Sequence, residues 1–197
     1  MSGGPAKPCA ALPPLVLASA SPRRRSLLEE HGYAFTVTPA DIEEISPPHF
    51  SPGETVLYNA RAKCRAIARR HPEALVLGVD TVVAFEGEIF GKPSDLATAE
   101  LMLRRLNGQE HVVYSGVWLA HFLDGRECGF TELTHVQFRR LETDQLRAYL
   151  ARIGPLDKAG AYAAQDDRGE LIQSVEGSFT NVIGLPMERL ECALKRF

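Results

Sequence analysis

Apolar and polar positions alternate along the chain in two rhythms, a strand period of two and a helical period of 3.6. Leu15 to Ala18 is a short apolar run that predicts a first strand. It leads into SASPRRRSLLEEHG, where Ser21 can cap a helix, Pro22 takes its first position and Gly32 ends it. A second strand is expected over Phe35 to Val37, followed by the acidic turn DIEEIS. The segment SPGETVLYNARAKCRAIARRHP carries a capping box in Ser51 and Glu54, with Pro52 at the first position and Pro72 beyond the end. Next comes ALVLGVDTVVAF, residues 74 to 85, a strand that turns at residues 86–88 into a partner ending at FGKP. Ser94 or Asp95 starts a helix through Leu106, closed by Asn107 and Gly108. HVVYSGVWLAHF and ECGFTELTHVQF flank Asp124-Gly125, a hairpin signal. Helices over 143–152 and 187–195 follow, with an irregular DKAGAYAAQ between them. The pattern predicts a mixed α/β architecture with a long twisted sheet and a cleft between two lobes.

One residue breaks the pattern. Asp80 sits in the middle of ALVLGVDTVVAF, a run too continuously apolar for a one-sided surface strand. A carboxylate there is at least partly buried, and an unpaired buried charge costs several kcal/mol. It therefore needs partners, and four features elsewhere are candidates to supply them.

Arg23, Arg24 and Arg25 occupy the first turn of the first helix, where the helix end already carries positive partial charge. Solvated arginines explain Arg25 easily. A strand, a Ser-Ala-Ser turn, free helix N–H groups and adjacent arginines also make an anion cradle suited to phosphate. The spacing is not that of a Gly-rich P-loop. Lys63 lies on the apolar face of its helix with Val56, Ala60 and Ile67, while Arg61, Arg65 and Arg69 face away. It either snorkels at the core's edge or reaches inward to an anion such as Asp80 or a bound phosphate. Of the pair Glu43-Glu44, one carboxylate can point inward to complete an oxygen site for Mg²⁺ or Mn²⁺; a surface turn is the plain alternative. Lys92, after Gly91, returns toward Asp80 if the hairpin forms, and is otherwise a solvated turn lysine.

Composition narrows the class. The 197 residues suffice for one compact domain, expected over 15–197, with 1–14 (MSGGPAKPCAALPP) a mobile leader lacking the apolar centre of a signal peptide. A net charge of −3 without a polybasic tail gives no reason to expect binding to a nucleic-acid polymer, and no apolar run approaches membrane-spanning length. Cys9, Cys64, Cys128 and Cys192 fit neither a zinc site nor a disulfide framework; Cys64 and Cys192 are expected in the core, and the compartment is expected to be the cytoplasm.

Taken in order, SxSPRR, IEE, the helical AK, GVDTVV, GKP, DKAGAYAAQ and NVIGLP resemble the Maf family of nucleoside triphosphate pyrophosphatases, collinearly from Leu15 to near the C-terminus. The resemblance implies a two-lobed Maf and inosine triphosphate pyrophosphatase-like α/β fold with a central cleft. It further implies metal-dependent hydrolysis of a nucleoside triphosphate to monophosphate and pyrophosphate, and homodimers as a common assembly. By the same resemblance Asp80 is the catalytic base, Ser19, Arg23, Arg24, Lys63 and Lys92 handle phosphate, and Glu44 with Asp80 holds the metal. Arg23, Thr81 and Gln165 match the specificity positions of the subgroup acting on dTTP and UTP, and differ from the subgroup similar to 7-methyl-GTP pyrophosphatases. AYAAQ departs from the more usual AYGIQ-like segment, which bears on where the Gln165 amide sits. Rival readings are a pyrophosphatase for modified nucleotides, a nucleotide-binding regulator of septum formation, and a phosphoryl transferase, for which no acceptor pocket is visible in the sequence. Tyr162 either stacks on the base or packs, and Lys158 either approaches the phosphates or is a solvated turn lysine.

Overall fold

The structure is a computed structural model that describes residues 12–197. Most of the expected leader, including Cys9, therefore lies outside the described residues. Pro14, its last residue, is tied to the sheet: its carbonyl accepts from the Leu75 N–H at 3.0 Å.

Seven strands and six helices form among the described residues, in a mixed α/β arrangement. Strands β1 (Leu15–Leu17), β2 (Phe35–Val37) and β3 (Leu75–Phe85) pair in parallel, with β1 in the middle. On its other edge β3 pairs antiparallel with β5 (Glu110–His121), which pairs with β6 (Arg126–Phe138) and that with β7 (Ile172–Glu176). Strand β4 (Glu88–Phe90) folds back on the far end of β3. The sheet order is β2-β1-β3-β5-β6-β7, with β4 beside β3.

The edge of β3 is thus shared. β1 covers residues 75–77 and β4 covers 83–85, so the stretch between them has no ladder partner on that side. Asp80 lies in this gap. A sheet edge normally leaves such groups to water; here it opens into a cleft between the elements that flank it.

Three packing clusters surround the sheet. Helices α1 (Pro22–Glu30) and α6 (Met187–Leu194) cover one face through Leu27, Leu28 and Leu190. Helix α2 (Pro52–Ala68) covers the other, packing Cys64 and Ile67 on Val76. Helices α3 (Leu96–Leu106) and α4 (Thr143–Ile153) build the third around Leu103, Phe138 and Tyr149. The α2 capping box forms as its sequence requires: Ser51 Oγ accepts from Glu54 N–H and Glu54 accepts from Ser51 N–H at 2.8 Å.

Two glycines set how closely α2 approaches. A Cβ on Gly78 would lie 2.2 Å from the Ala60 carbonyl oxygen, and one on Gly116 would lie 2.3 Å from the Val56 backbone. Only hydrogen at these positions lets the helix rest directly on β3 and β5. Gly116 is also the residue opposite Asp80 in the β3–β5 register.

One expectation needs correction, and one stretch gains elements. Cys192 is exposed, because α6 turns that position outward while Met187, Leu190 and Leu194 face the core. The stretch between DKAGAYAAQ and the last helix, for which the pattern predicts no element, holds β7 and a short helix α5 (Phe179–Ile183). Each is only five residues long, below the length at which periodicity is informative.

Candidate active site

The gap in the β3 edge floors a cleft of about 410 Å³, within the range of small-molecule sites. Asp80 is 5% exposed and points toward α2. Its Oδ1 accepts from Lys63 Nζ at 2.7 Å, and its Oδ2 accepts from Asn59 Nδ2 at 3.1 Å. Asn59 and Lys63 are one helical turn apart, so both reach the carboxylate from the same face of α2. The glycine seats under the helix bring that face within reach.

Lys63 also meets Glu44, Nζ to Oε1 at 2.7 Å, and so stands between two carboxylates. Burial alone would raise the Glu44 carboxyl. Its hydrogen bond and charge contact with Lys63, joined by the charges of Lys92 and Arg24, bring it net below the usual carboxylate range. Asn59 fixes the acidic loop as well, accepting from Ile45 N–H at 3.0 Å and donating to Ile45 O at 3.0 Å.

On the opposite face of β3, Thr81 lies beside Arg24, whose Nη2 donates to Thr81 Oγ1 at 3.0 Å. Arg24 also donates to Ser19 Oγ, Val79 O and Gly184 O. Burial lowers its pKa to about 10, against the opposing pull of Asp80. Arg23 turns to the rim, where Nη1 pairs with Asp157 Oδ2 at 2.8 Å and Nη2 donates to Asp157 O at 3.1 Å. Lys158, buried in the cleft wall, donates to the same carboxylate at 2.5 Å and to Gly154 O. Lys92 lines the opening and is exposed.

The structure therefore brings Ser19, Arg23, Arg24, Glu44, Lys63, Asp80, Thr81 and Lys92 to one cleft. It does not bring Gln165 there: that residue is exposed and outside the cleft lining. Tyr162 lines the cleft yet packs within its wall, its hydroxyl 3.0 Å from His111 Nε2 and its ring edge-on to Phe138. Asn59 and Asp157 escaped the sequence reading. For Asn59 the signal was available, since it lies one turn before Lys63 on the same helical face. For Asp157 nothing local distinguishes a cleft carboxylate from a turn residue.

Five basic side chains and three carboxylates line the cleft, an excess of positive charge in a chain whose net charge is −3. Such focusing favours a polyanion. A sequence profile described as Maf-like protein matches residues 14–197. The chain belongs to the Maf family. A protein of Moorella thermoacetica named dTTP/UTP pyrophosphatase is 46% identical over 183 residues, 93% of this chain and 94% of that one. Proteins of the same name from Pelotomaculum thermopropionicum and Salinibacter ruber are 42% and 44% identical, covering 93% and 92% of this chain and 96% and 90% of their own. Among solved structures, a HAM1 protein from Coxiella burnetii aligns with a TM-score of 0.42 at 13% identity, over 66% of this chain and 75% of that one. Among the described residues no helix is long and apolar enough to cross a membrane.

Proposed function

We propose that this Maf protein hydrolyses nucleoside triphosphates, dTTP and UTP foremost, to the monophosphate and pyrophosphate. The observation that carries this reading is Asp80, a buried carboxylate held by Lys63 and Asn59 at the floor of a cleft with surplus positive charge. The relatives named dTTP/UTP pyrophosphatase support the substrate class.

In this reading Arg23, Lys63 and Lys92 bind the phosphate chain, with Ser19 at the turn before α1. Asp80 accepts the proton of a water that attacks the α-phosphorus. The new P–O bond forms as the bond to the α,β-bridging oxygen breaks, and the electron pair leaves with pyrophosphate. Cationic side chains fixed before the reaction stabilise the charge developing on that oxygen. Lys63 is suited to this because it is already held between Asp80 and Glu44.

The donor set also fits a divalent cation of the Mg²⁺ or Mn²⁺ kind. Glu44 and Asp80 offer carboxylate oxygens from neighbouring positions, and no group of three or more ligating side chains occurs among the described residues. A hard cation that keeps several waters and takes phosphate oxygens needs no more than one or two carboxylates. When bound, it would supply charge neutralisation to the phosphates.

The test is pyrophosphate release from a panel of standard and modified nucleotides, with and without Mg²⁺ or Mn²⁺. Turnover centred on dTTP and UTP and dependent on the cation is expected. Preference for modified nucleotides would redirect the substrate assignment, and the absence of release from every nucleotide would refute the reading.

A further inference from the structure

Arg24 sits where a phosphate-binding arginine would be expected, one residue after Arg23 in the first turn of α1 at the cleft, but its hydrogen bonds all run to the protein. A guanidinium carries five N–H donors. Nε donates to Gly184 O at 2.9 Å, Nη1 to Ser19 Oγ at 2.9 Å and to Val79 O at 3.1 Å, and Nη2 to Thr81 Oγ1 at 3.0 Å. Four donors are thus committed to fixed acceptors in three segments of the chain: the turn before α1, β3 and the loop after α5.

The acceptors explain why. Val79 lies in the stretch of β3 that neither β1 nor β4 covers, so its carbonyl has no strand to pair with on that side. Buried backbone acceptors are rarely left unpaired. Arg24 supplies the missing donor, assisted at 3.4 Å by Lys63. Thr81, two residues on, receives the next N–H and lies 2.9 Å from Ser115 Oγ, its fully buried opposite number on β5. Asp80 is the residue between these two anchors. Gly184 belongs to the loop after α5, so the same side chain also pins that loop against β3.

We propose that Arg24 is a positioning residue: it stands in for the absent strand at the gap, holds β3 on both sides of Asp80, and so aims the carboxylate and the Thr81 hydroxyl without binding phosphate itself. The proposal rests on the pyrophosphatase reading above, because only turnover gives Asp80 a direction to be aimed. Only one Nη2 N–H is left uncommitted, so a paired, two-donor grip on phosphate would have to surrender one of these bonds and leave its acceptor unpaired at the base of the site.

Positioning and ligation predict different kinetics. Arg24→Lys keeps a positive charge but cannot span four acceptors. For a positioning residue, kcat falls by about 10- to 100-fold, the scale of a small misplacement of a reacting group. KM and the calorimetric Kd for pyrophosphate with Mg²⁺ then stay within about threefold of wild type, since charge in the cleft is preserved. An unchanged kcat overturns the proposal, and so does a tenfold or greater weakening of pyrophosphate, whatever happens to kcat. If Arg24→Lys does not fold, Thr81→Val removes one of the anchors while leaving every cation in place. It should lower kcat with pyrophosphate affinity held, and Thr81→Ser should restore the rate. A Thr81→Val enzyme with wild-type kcat, or no rescue by serine, overturns the proposal by that route. Wild-type protein that releases pyrophosphate from no nucleotide refutes the reading beneath. The pyrophosphate affinities of wild type and Arg24→Lys then still separate a ligand from a strut.

Discussion

The floor and the rim of the cleft are built from the same kinds of side chain but in different states. On the floor Lys63, Asp80, Asn59, Arg24 and Thr81 are buried or nearly so, and each is bonded to others of the group. At the rim Asp157 is half exposed, its pair with Arg23 faces water, and Lys92 lines the opening exposed. Charges on the floor act in a low-dielectric setting and keep their geometry before any ligand arrives, whereas rim pairs in contact with solvent exchange partners readily. On the proposed reading the floor sets the chemistry and the rim meets the polyphosphate.

Substitutions can break that division where it is deepest. Asp80→Asn, nearly isosteric, should lower kcat for pyrophosphate release by about 10²- to 10⁴-fold, the range of a positioned general base, with nucleotide affinity retained in calorimetry. A variant retaining most of its kcat would remove Asp80 from that role. Lys63→Met leaves two carboxylates facing each other beside the core. Loss of one partner from a buried pair costs about 3–5 kcal/mol, so a depressed urea midpoint is expected together with triphosphate binding weakened far more than nucleoside binding. Gly78→Ala would press a methyl group into the Ala60 carbonyl. Overpacking of this sort costs about 1–3 kcal/mol, read as a lower Tm, and turnover should fall with it because Lys63 and Asn59 ride on the displaced helix.

A pH series sharpens the comparison from within the wall. Burial pulls His111 from 6.5 down to about 3, so it is neutral in the folded protein. A depressed histidine contributes stability that is fully present above about pH 6.5 and is lost as pH falls toward 3. Urea midpoints should therefore drop over that window, and His111→Gln should flatten the part of the slope that this histidine supplies. The smallest effect belongs to the rim. Asp157→Asn should change stability by less than about 1 kcal/mol, while freeing Arg23 and lowering KM for triphosphates a few-fold in steady-state assays.

Much of this arrangement was legible in the residues alone. Asp80 announced itself as a charge in an apolar strand, and Lys63 as a base on an apolar helical face; the two meet at 2.7 Å. The strands and longer helices followed their periods, and the capping box formed where Ser51 and Glu54 placed it. What escaped depends on long-range geometry. The gap between β1 and β4 exists only once both pair with the same strand, so the cleft and the carbonyl it exposes have no local signature. The bonding of Arg24 is hidden for the same reason, since its acceptors Val79, Thr81 and Gly184 are 55 to 160 residues away. Gln165 matches a specificity position by its motif, yet it is exposed and outside the cleft lining. Helix α5 and β7 were too short to register against the irregular stretch before them.

The bare backbones of Gly78 and Gly116 carry one more implication. Neither lines the cleft, but both decide how near α2 can sit. A mutational screen scored only by lost activity would rank these two hydrogens' worth of space alongside Asp80 itself. Tolerance to substitution would then trace the helix's footprint on the sheet, well outside the contour of any bound nucleotide.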